Sequence, residues 1–279
     1  MSAKDTFVNE YWAERQAKAQ EAVTKKGIKE TEEQLKKYYQ RTMDRVIKEF
    51  ENTYNKILID TKNGATATPA DLYKLDTYWK MQVQARKELE KLGDKQAATM
   101  SRQFMNQFKG IYRTMALQDG GSFSQISNET AEQMIKAIWC ADGKSWSDRI
   151  WSNISQLQQE LNENLIDCVL TGKSTEDLKK RLVERFGVSY NRADSIVRTE
   201  YTHIQTEAAK QRYKDTGVKQ VQVWADYDER RCDVCGDLHM KYFPVNSTMP
   251  IPAHPRCRCC IIPVVEVAGT QMEMDEFYI

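Results

Sequence analysis

No stretch of eighteen apolar residues occurs in the chain, so no segment reads as a membrane-spanning helix. The opening residues, MSAKDTFVNEYWAERQ, lack the basic start and apolar run of a secretory signal. That reading places synthesis in the cytosol, where thiols stay reduced. Charge of either sign is not in excess: 41 Lys and Arg face 40 Asp and Glu, a formal net charge of +1. Bulk charge therefore argues neither for nor against nucleic acid. Internal repeats and low-complexity tracts are missing. So is a phosphate-cradling glycine loop: TGKST at Thr171 to Thr175 has neither the upstream glycine spacing nor the preceding strand that such a loop needs. Histidine is scarce, with three in 279 residues, and no catalytic constellation stands out.

What is present reads first as helix. With 41% hydrophobic and 29% charged residues, the chain has soluble-globular composition and enough length for one large or two ordinary domains. Leu35, Tyr39, Met43, Ile47 (with Val46 beside it), Phe50, Tyr54 and Ile57 recur in steps of three and four, one face of a helix. A shorter helix over 8–25, ended near Gly27, is expected before it. Thr68, Pro69 and Asp71 form a helix start; the helix is expected to stop at Gly93, and another runs from Lys95 to about Leu117. QDGGSFSQIS is a loop. A short helix in NETAEQMIKAIW follows, then one capped by Ser147 and ending before Gly172. Ser174 with Asp177 starts a compact helix closed by Gly187. A last helix, with Ala193, Ile196, Val197, Ile204 and Ala208 inward, stops at Gly217.

There the period changes. VKQVQVW alternates and IIPVVEV is β-branched, so both read as strands. The expected fold is mainly α, long amphipathic helices with a small C-terminal α+β zinc-binding module. Its parts are an N-terminal helical region at 1–120, a central helical part at 121–217, and a zinc-knuckle β module with tail at 218–279.

Between the two strands lies RRCDVCGDLHMKYFPVNSTMPIPAHPRCRCC, Arg230 to Cys260, with five of the seven cysteines and two of the three histidines. Cys232 and Cys235 form a C-x-x-C, whose sulfurs can turn toward one point. His254 and Cys257 form H-P-R-C after an 18-residue loop. In a reducing compartment such clustering points to metal more than to disulfides. Zinc prefers thiolate and imidazole, so Cys232, Cys235, His254 and Cys257 make a Cys3His set, structural because closed. Cys259 is the reserve ligand in place of either His254 or Cys257. Cys259 and Cys260, being adjacent in a strand, point to opposite faces and do not both bind. Unpaired or partly disulfide-bonded cysteines are the alternative. His239 reads as an exposed loop residue, His203 as surface or half-buried, and Cys140 and Cys168 as core filler. Trp139, Trp146, Trp151 and Trp224 read as core. Lys179, Lys180, Arg181, Arg256 and Arg258 read as solvated surface.

These residues carry a resemblance. WADYDERRCDVCGDLHMKYFP followed by PIPAHPRCRC resembles the C-terminal motif of the Mu-F-like minor head proteins of tailed phages, D-x-R-x-C-x-x-C, then F/Y-P, then P-x-H-P-x-C-R-C. Asp228, Arg230, Cys232, Cys235, Phe243, Pro244, Pro252, His254, Pro255, Cys257, Arg258 and Cys259 match, while the glycine usual before F/Y-P is replaced in HMKYFP. RADSIVRTEYTHIQTEAA resembles the family's A-x-x-I-x-R-T-E motif, with Arg198, Thr199 and Glu200 in place. The likeness covers about Trp146 to Val265. It implies a minor head (capsid) protein of phage head morphogenesis, located in the virion, with the portal protein, other head proteins and double-stranded DNA near the portal as partners. Such a protein is not an enzyme, and Arg198 and Glu200 serve to anchor their helix to the zinc module. The alternatives are a zinc-supported nuclease, for which only His203 and His239 remain as bases, or another DNA-binding protein, and an ADP-ribosyltransferase, for which Gln271 and Glu273 with Ser247 and Thr248 upstream are the signal, although an acidic tail is the plain reading.

Overall fold

The computed structural model describes residues 10–61, 70, 73, 76–118, 126–225 and 231–264. Five helices precede a small sheet: α1 Glu10–Thr61, α2 Asp76–Gln118, α3 Asn128–Lys136, α4 Trp146–Thr171 and α5 Thr175–Asp215. The last part holds β1 Gln220–Trp224, the short helix α6 Asp233–Leu238, β2 Tyr242–Pro244 and β3 Cys260–Val264. The mainly helical reading with a small C-terminal sheet holds. The helix start at Thr68, Pro69 and Asp71, most of the QDGGSFSQIS loop, and Asp228, Arg230, Gln271 and Glu273 lie outside the described residues.

Three expected breaks are absent. Gly27, Gly93 and Gly187 lie inside α1, α2 and α5, so each pair of expected helices is one continuous helix. Glycine in a helix interior costs about 1 kcal/mol relative to alanine, which long buried faces outweigh. Gly93 has a packing reason: an added Cβ would lie 2.6 Å from Trp151 Cζ3. The start of α4 also differs. Ser145, not Ser147, is the cap, with Asp148 completing a capping box. Gly172 ends α4 in the left-handed region at φ 61°, as the sequence indicated. Ser174 Oγ accepts from Asp177 N, and Asp177 Oδ2 accepts from Ser174 N, which starts α5 as expected.

The described residues form two compact units, discontinuous in sequence. One takes 27–105 and 135–200. Its core draws on Leu35, Tyr39, Phe50 and Tyr54 of α1, Leu89, Leu92 and Phe104 of α2, Leu157 and Leu161 of α4, and Leu182 and Val197 of α5. A polar knot crosses this core. Asn153 Nδ2 donates to Tyr39 Oη at 3.1 Å and to Ser189 O at 2.9 Å, while Ser189 Oγ donates to Asn153 Oδ1 at 3.2 Å. Buried polar groups must be paired, so this arrangement fixes the register of three helices. Trp146 and Trp151 are partly exposed rather than core; Trp146 packs edge-on against Phe104 with ring centroids 5.5 Å apart.

The other unit takes 10–26, 106–134 and 201–264 within the described residues. β1 is the central strand, antiparallel to β2 on one side and β3 on the other. Val221 pairs with Phe243 in one ladder, and Val223 pairs with Ile261 in the other. Cys260 and Ile262 of β3 pack with Ala13 of α1, with Ala17 and Trp224 alongside. The Ile261 carbonyl accepts from Gln20 Nε2 of α1 at 2.9 Å and from Tyr213 Oη of α5 at 3.3 Å.

Replacing Gly93 by leucine, although a better helix former, is expected to destabilise the protein by about 1–3 kcal/mol through overpacking against Trp151. Urea unfolding of Gly93→Leu, Trp151→Ala and the double variant gives the test. The penalty should shrink in the Trp151→Ala background, and purely additive effects would refute the packing role.

Candidate metal centre

The C-x-x-C is folded by the short helix it opens. Cys232 caps α6 with extended backbone, φ −80° and ψ 163°, and its sulfur accepts from Cys235 N at 3.5 Å. One helical turn thus brings both sulfurs to the same side. The H-P-R-C half is a tight turn: Cys257 N donates to His254 O at 3.2 Å, Pro255 follows His254, and Arg256 adopts φ 62°. Proline at the second place and a positive φ at the third are the requirements of a type II turn. The turn delivers His254 and Cys257 together.

The two halves meet. His254 Nε2 lies 3.2 Å from Cys232 Sγ and 3.1 Å from Cys235 Sγ, and Cys235 Sγ lies 3.8 Å from Cys257 Sγ. Two donor triads result, Cys232 with Cys235 and His254, and Cys235 with Cys257 and Cys259; within each, the donor atoms lie within 4.8 Å of one another. Cys235 belongs to both. It is buried, as are Cys257 and Cys259, while Cys232 and His254 form a half-buried rim. Cys260 turns the other way, into the apolar cluster with Ala13. All five candidate donors named from the sequence are therefore together.

The orientation of His254 suits ligation. Its Nδ1 lies 2.8 Å from Pro255 O. A carbonyl only accepts, so Nδ1 carries the proton, and the lone pair of Nε2 faces the sulfurs. Electrostatics fit the same picture. The hydrogen bond from Cys259 pulls the Cys257 thiol down to about 5, and burial pushes Cys235 up to about 12. Cys259, whose proton is committed to Cys257, is shifted upward. Cys232 is lowered as well, first by the hydrogen bond from Cys235 N, so the cluster mixes sulfurs that favour the thiolate with sulfurs that resist it, and a divalent cation can replace the remaining protons.

The helices grip this centre at points that the sequence did not disclose. Thr202 Oγ1 of α5 donates to Cys257 O. The anchoring expected of Arg198 and Glu200 is supplied here by Thr202. Arg198 pairs with Glu32 of α1 at 2.5 Å and with Asp194 at 3.1 Å. Glu200 is buried and accepts from Trp139 Nε1 at 3.1 Å. A threonine within a helix gives no signal of such a role.

The other histidines have structural places. His203 is buried, not at the surface, and burial drives it down to about 3, so it stays neutral. His239 is half-buried rather than exposed: Nδ1 accepts from Ala225 N at 3.1 Å, and its ring stands edge-on to Trp224 at 5.0 Å. Cys168 is core, whereas Cys140 is half-buried with its thiol bonded to Arg149. Of the basic side chains, Arg181 pairs with Asp167 and Lys179 with Glu51 at 3.7 Å.

A long-helix protein with a compact cysteine and histidine centre on a three-stranded sheet is the class defined by this geometry. Residues 159–262 match the family described as Phage Mu protein F like protein. The chain is similar to that family over this segment, which contains all five donors. A curated relative is the NAD(+)--arginine ADP-ribosyltransferase EFV of Enterococcus faecalis (strain ATCC 700802 / V583), 26% identical over 151 residues. The match takes 48% of this chain and 31% of the relative, so the chain spans about a third of that protein's length. No solved structure matches the chain. Among the described residues, no helix is long and apolar enough to cross a membrane.

The buried Glu200 predicts a pH dependence. Burial raises its carboxyl from 4.5 to about 7, against a smaller lowering by Trp139 and Arg149. The neutral form is favoured in the folded state, so this stabilisation is full below about pH 4.5 and lost as pH rises through about 7. Glu200→Gln should flatten that slope and gain up to about 3 kcal/mol over the wild type near pH 8. Denaturant unfolding at about pH 5 and about pH 8 measures this; an unchanged slope would contradict it.

Proposed function

We propose that this chain is a minor head protein of a tailed phage, acting in head morphogenesis, and that it carries a structural zinc ion on Cys232, Cys235, His254 and Cys257. The observation that carries the reading is the convergence of these donors from two segments within the Mu-F-like stretch. Metal–sulfur bonds of ~2.3 Å in a tetrahedron set neighbouring sulfurs ~3.8 Å apart, the spacing seen between Cys235 and Cys257. The fixed tautomer of His254 offers the fourth donor. When bound, the ion supplies charge neutralisation and folding energy to a module too small to gain much from its apolar core. Four protein ligands leave no open coordination position, which favours a structural, non-enzymatic role.

The portal protein and other head proteins are the proposed partners, with the protein resident in the head interior or at the portal vertex. The exposed faces of the long helices are the surfaces that support this. Double-stranded DNA is a weaker partner. A net charge of +1 and the pairing of Lys179 and Arg181 with acidic neighbours favour weak, salt-sensitive binding. The transferase activity in the relative's name is not carried over, because the match covers 31% of that protein.

Elemental analysis of the purified chain is expected to give one zinc per chain, with chelation loosening the C-terminal module before the helices melt; a metal-free native protein would refute the zinc assignment. Pull-down with a portal protein from the same phage is expected to recover a complex, whereas DNA binding should fade as salt is raised. Tight DNA binding at high salt, with no portal complex, would overturn the partner assignment.

A further inference from the structure

The donor cluster contains more ligands than one tetrahedral ion can use. Cys232, Cys235 and His254 form one triad, and Cys235, Cys257 and Cys259 form the other. We propose that the centre is built with one sulfur in reserve, so that Cys259 takes the fourth place whenever His254 leaves it. The inference rests on the zinc reading and deepens it.

Position explains the reserve. Cys257 and Cys259 are two residues apart on the stretch leading into β3, and such residues face one side of an extended chain. Both sulfurs therefore reach Cys235, while Cys260 faces Ala13 and Ile262. The donors differ in how firmly they are held. Cys257 is tied to α5 through Thr202, and the stretch that follows is tied to α1 and α5 through the Ile261 carbonyl. His254 sits half-buried on a proline-bordered turn at the rim. The inner sulfurs are thus the fixed part of the site, while Cys232 and His254 are its outer donors, of which the imidazole is the one that brings no negative charge to the ion.

Charge explains why Cys259 is the reserve and not the standing ligand. A divalent ion with three thiolates and a neutral imidazole carries a net charge of about −1, and with four thiolates about −2. The second negative charge in a site whose inner sulfurs are buried is disfavoured while an imidazole is available. Once His254 is gone, a soft ion gains more from a fourth thiolate than from water. Cys259 then gives its proton to solvent as its sulfur–metal bond forms. The rim turn at 250–256 can open without loss of the ion.

Cobalt(II) substitution of the full chain tests this, because sulfur-to-cobalt charge-transfer absorption scales with the number of thiolates. Wild type should bind one cobalt with a three-thiolate spectrum. Cys259→Ser should bind one cobalt with the same spectrum. His254→Ala should also bind one, with charge-transfer absorption higher by about one third as three sulfur ligands become four. The double variant His254→Ala/Cys259→Ser should lose the ion to a chelator that His254→Ala withstands, with the helical circular dichroism of all variants compared as a folding control. Loss of cobalt from His254→Ala as complete as from the double variant would overturn the reserve role. So would loss of absorption in Cys259→Ser, which would make Cys259 a standing ligand. A wild type that binds no cobalt would sink the zinc reading as well, so the two failures are distinct.

Discussion

Gathering three sulfurs and an imidazole around buried Cys235 is the constraint on which the C-terminal part of the chain depends. Thiols packed that closely in a dry place need a compensating charge or a full set of hydrogen-bond partners. The sheet makes the meeting possible. β1 is central, so the chain leaving it toward the C-x-x-C and the chain entering β3 from the H-P-R-C run are adjacent by topology. The sequence separation of the donors is thereby converted into contact. The local turns supply the rest: one helical turn aims Cys232 and Cys235, and one proline-led turn aims His254 and Cys257.

A different constraint rules the unit formed by 27–105 and 135–200. There the polar knot of Tyr39, Asn153 and Ser189 lies in an otherwise apolar interior. Hydrophobic faces alone permit helices to slide by a turn; a buried amide with several partners does not. Gly93 acts toward the same end from the opposite direction, by absence of a side chain where Trp151 lies against α2. One feature demands partners and the other demands space, and both restrict the packing to one register.

The helical faces were legible because burial repeats at helical spacing: Leu35, Tyr39, Phe50 and Tyr54 are buried as their spacing implied. Ser174 with Asp177 and Gly172 were legible because caps are chemical signals. The five donors were legible because cysteine and histidine are rare in this chain. Glycine misled, since its cost inside a helix is small beside the burial of a 43-residue or 52-residue helix, and nothing local tells a stop from a packing contact. β2 and α6, with three and six residues, are too short for periodicity to reveal. Thr202, Gln20 and Tyr213 were invisible as anchors because each reaches a backbone carbonyl far away in sequence, and a carbonyl leaves no mark on the residue that bears it. Linear punctuation likewise suggests contiguous parts, whereas units assembled from long helices draw on separated segments.

Size then decides how the module survives. Strands of five, three and five residues offer too little surface for an independent core. Two supports remain open to such a sheet, a surface to lie on and a cross-link within. The first is present in the packing of Cys260 and Ile262 on Ala13, and in the grip of Gln20 and Tyr213 on Ile261. Those contacts hold β3 and the sulfurs just before it. They do not reach α6, whose far end is moored to β1 where His239 Nδ1 accepts from Ala225 N and Met240 N donates to Val223 O, and whose first turn meets the site through Cys232 and Cys235. The helices therefore prepare one half of the donor cluster, the sheet steadies the end of α6, and bonding among the donors holds its first turn, where Cys232 and Cys235 sit.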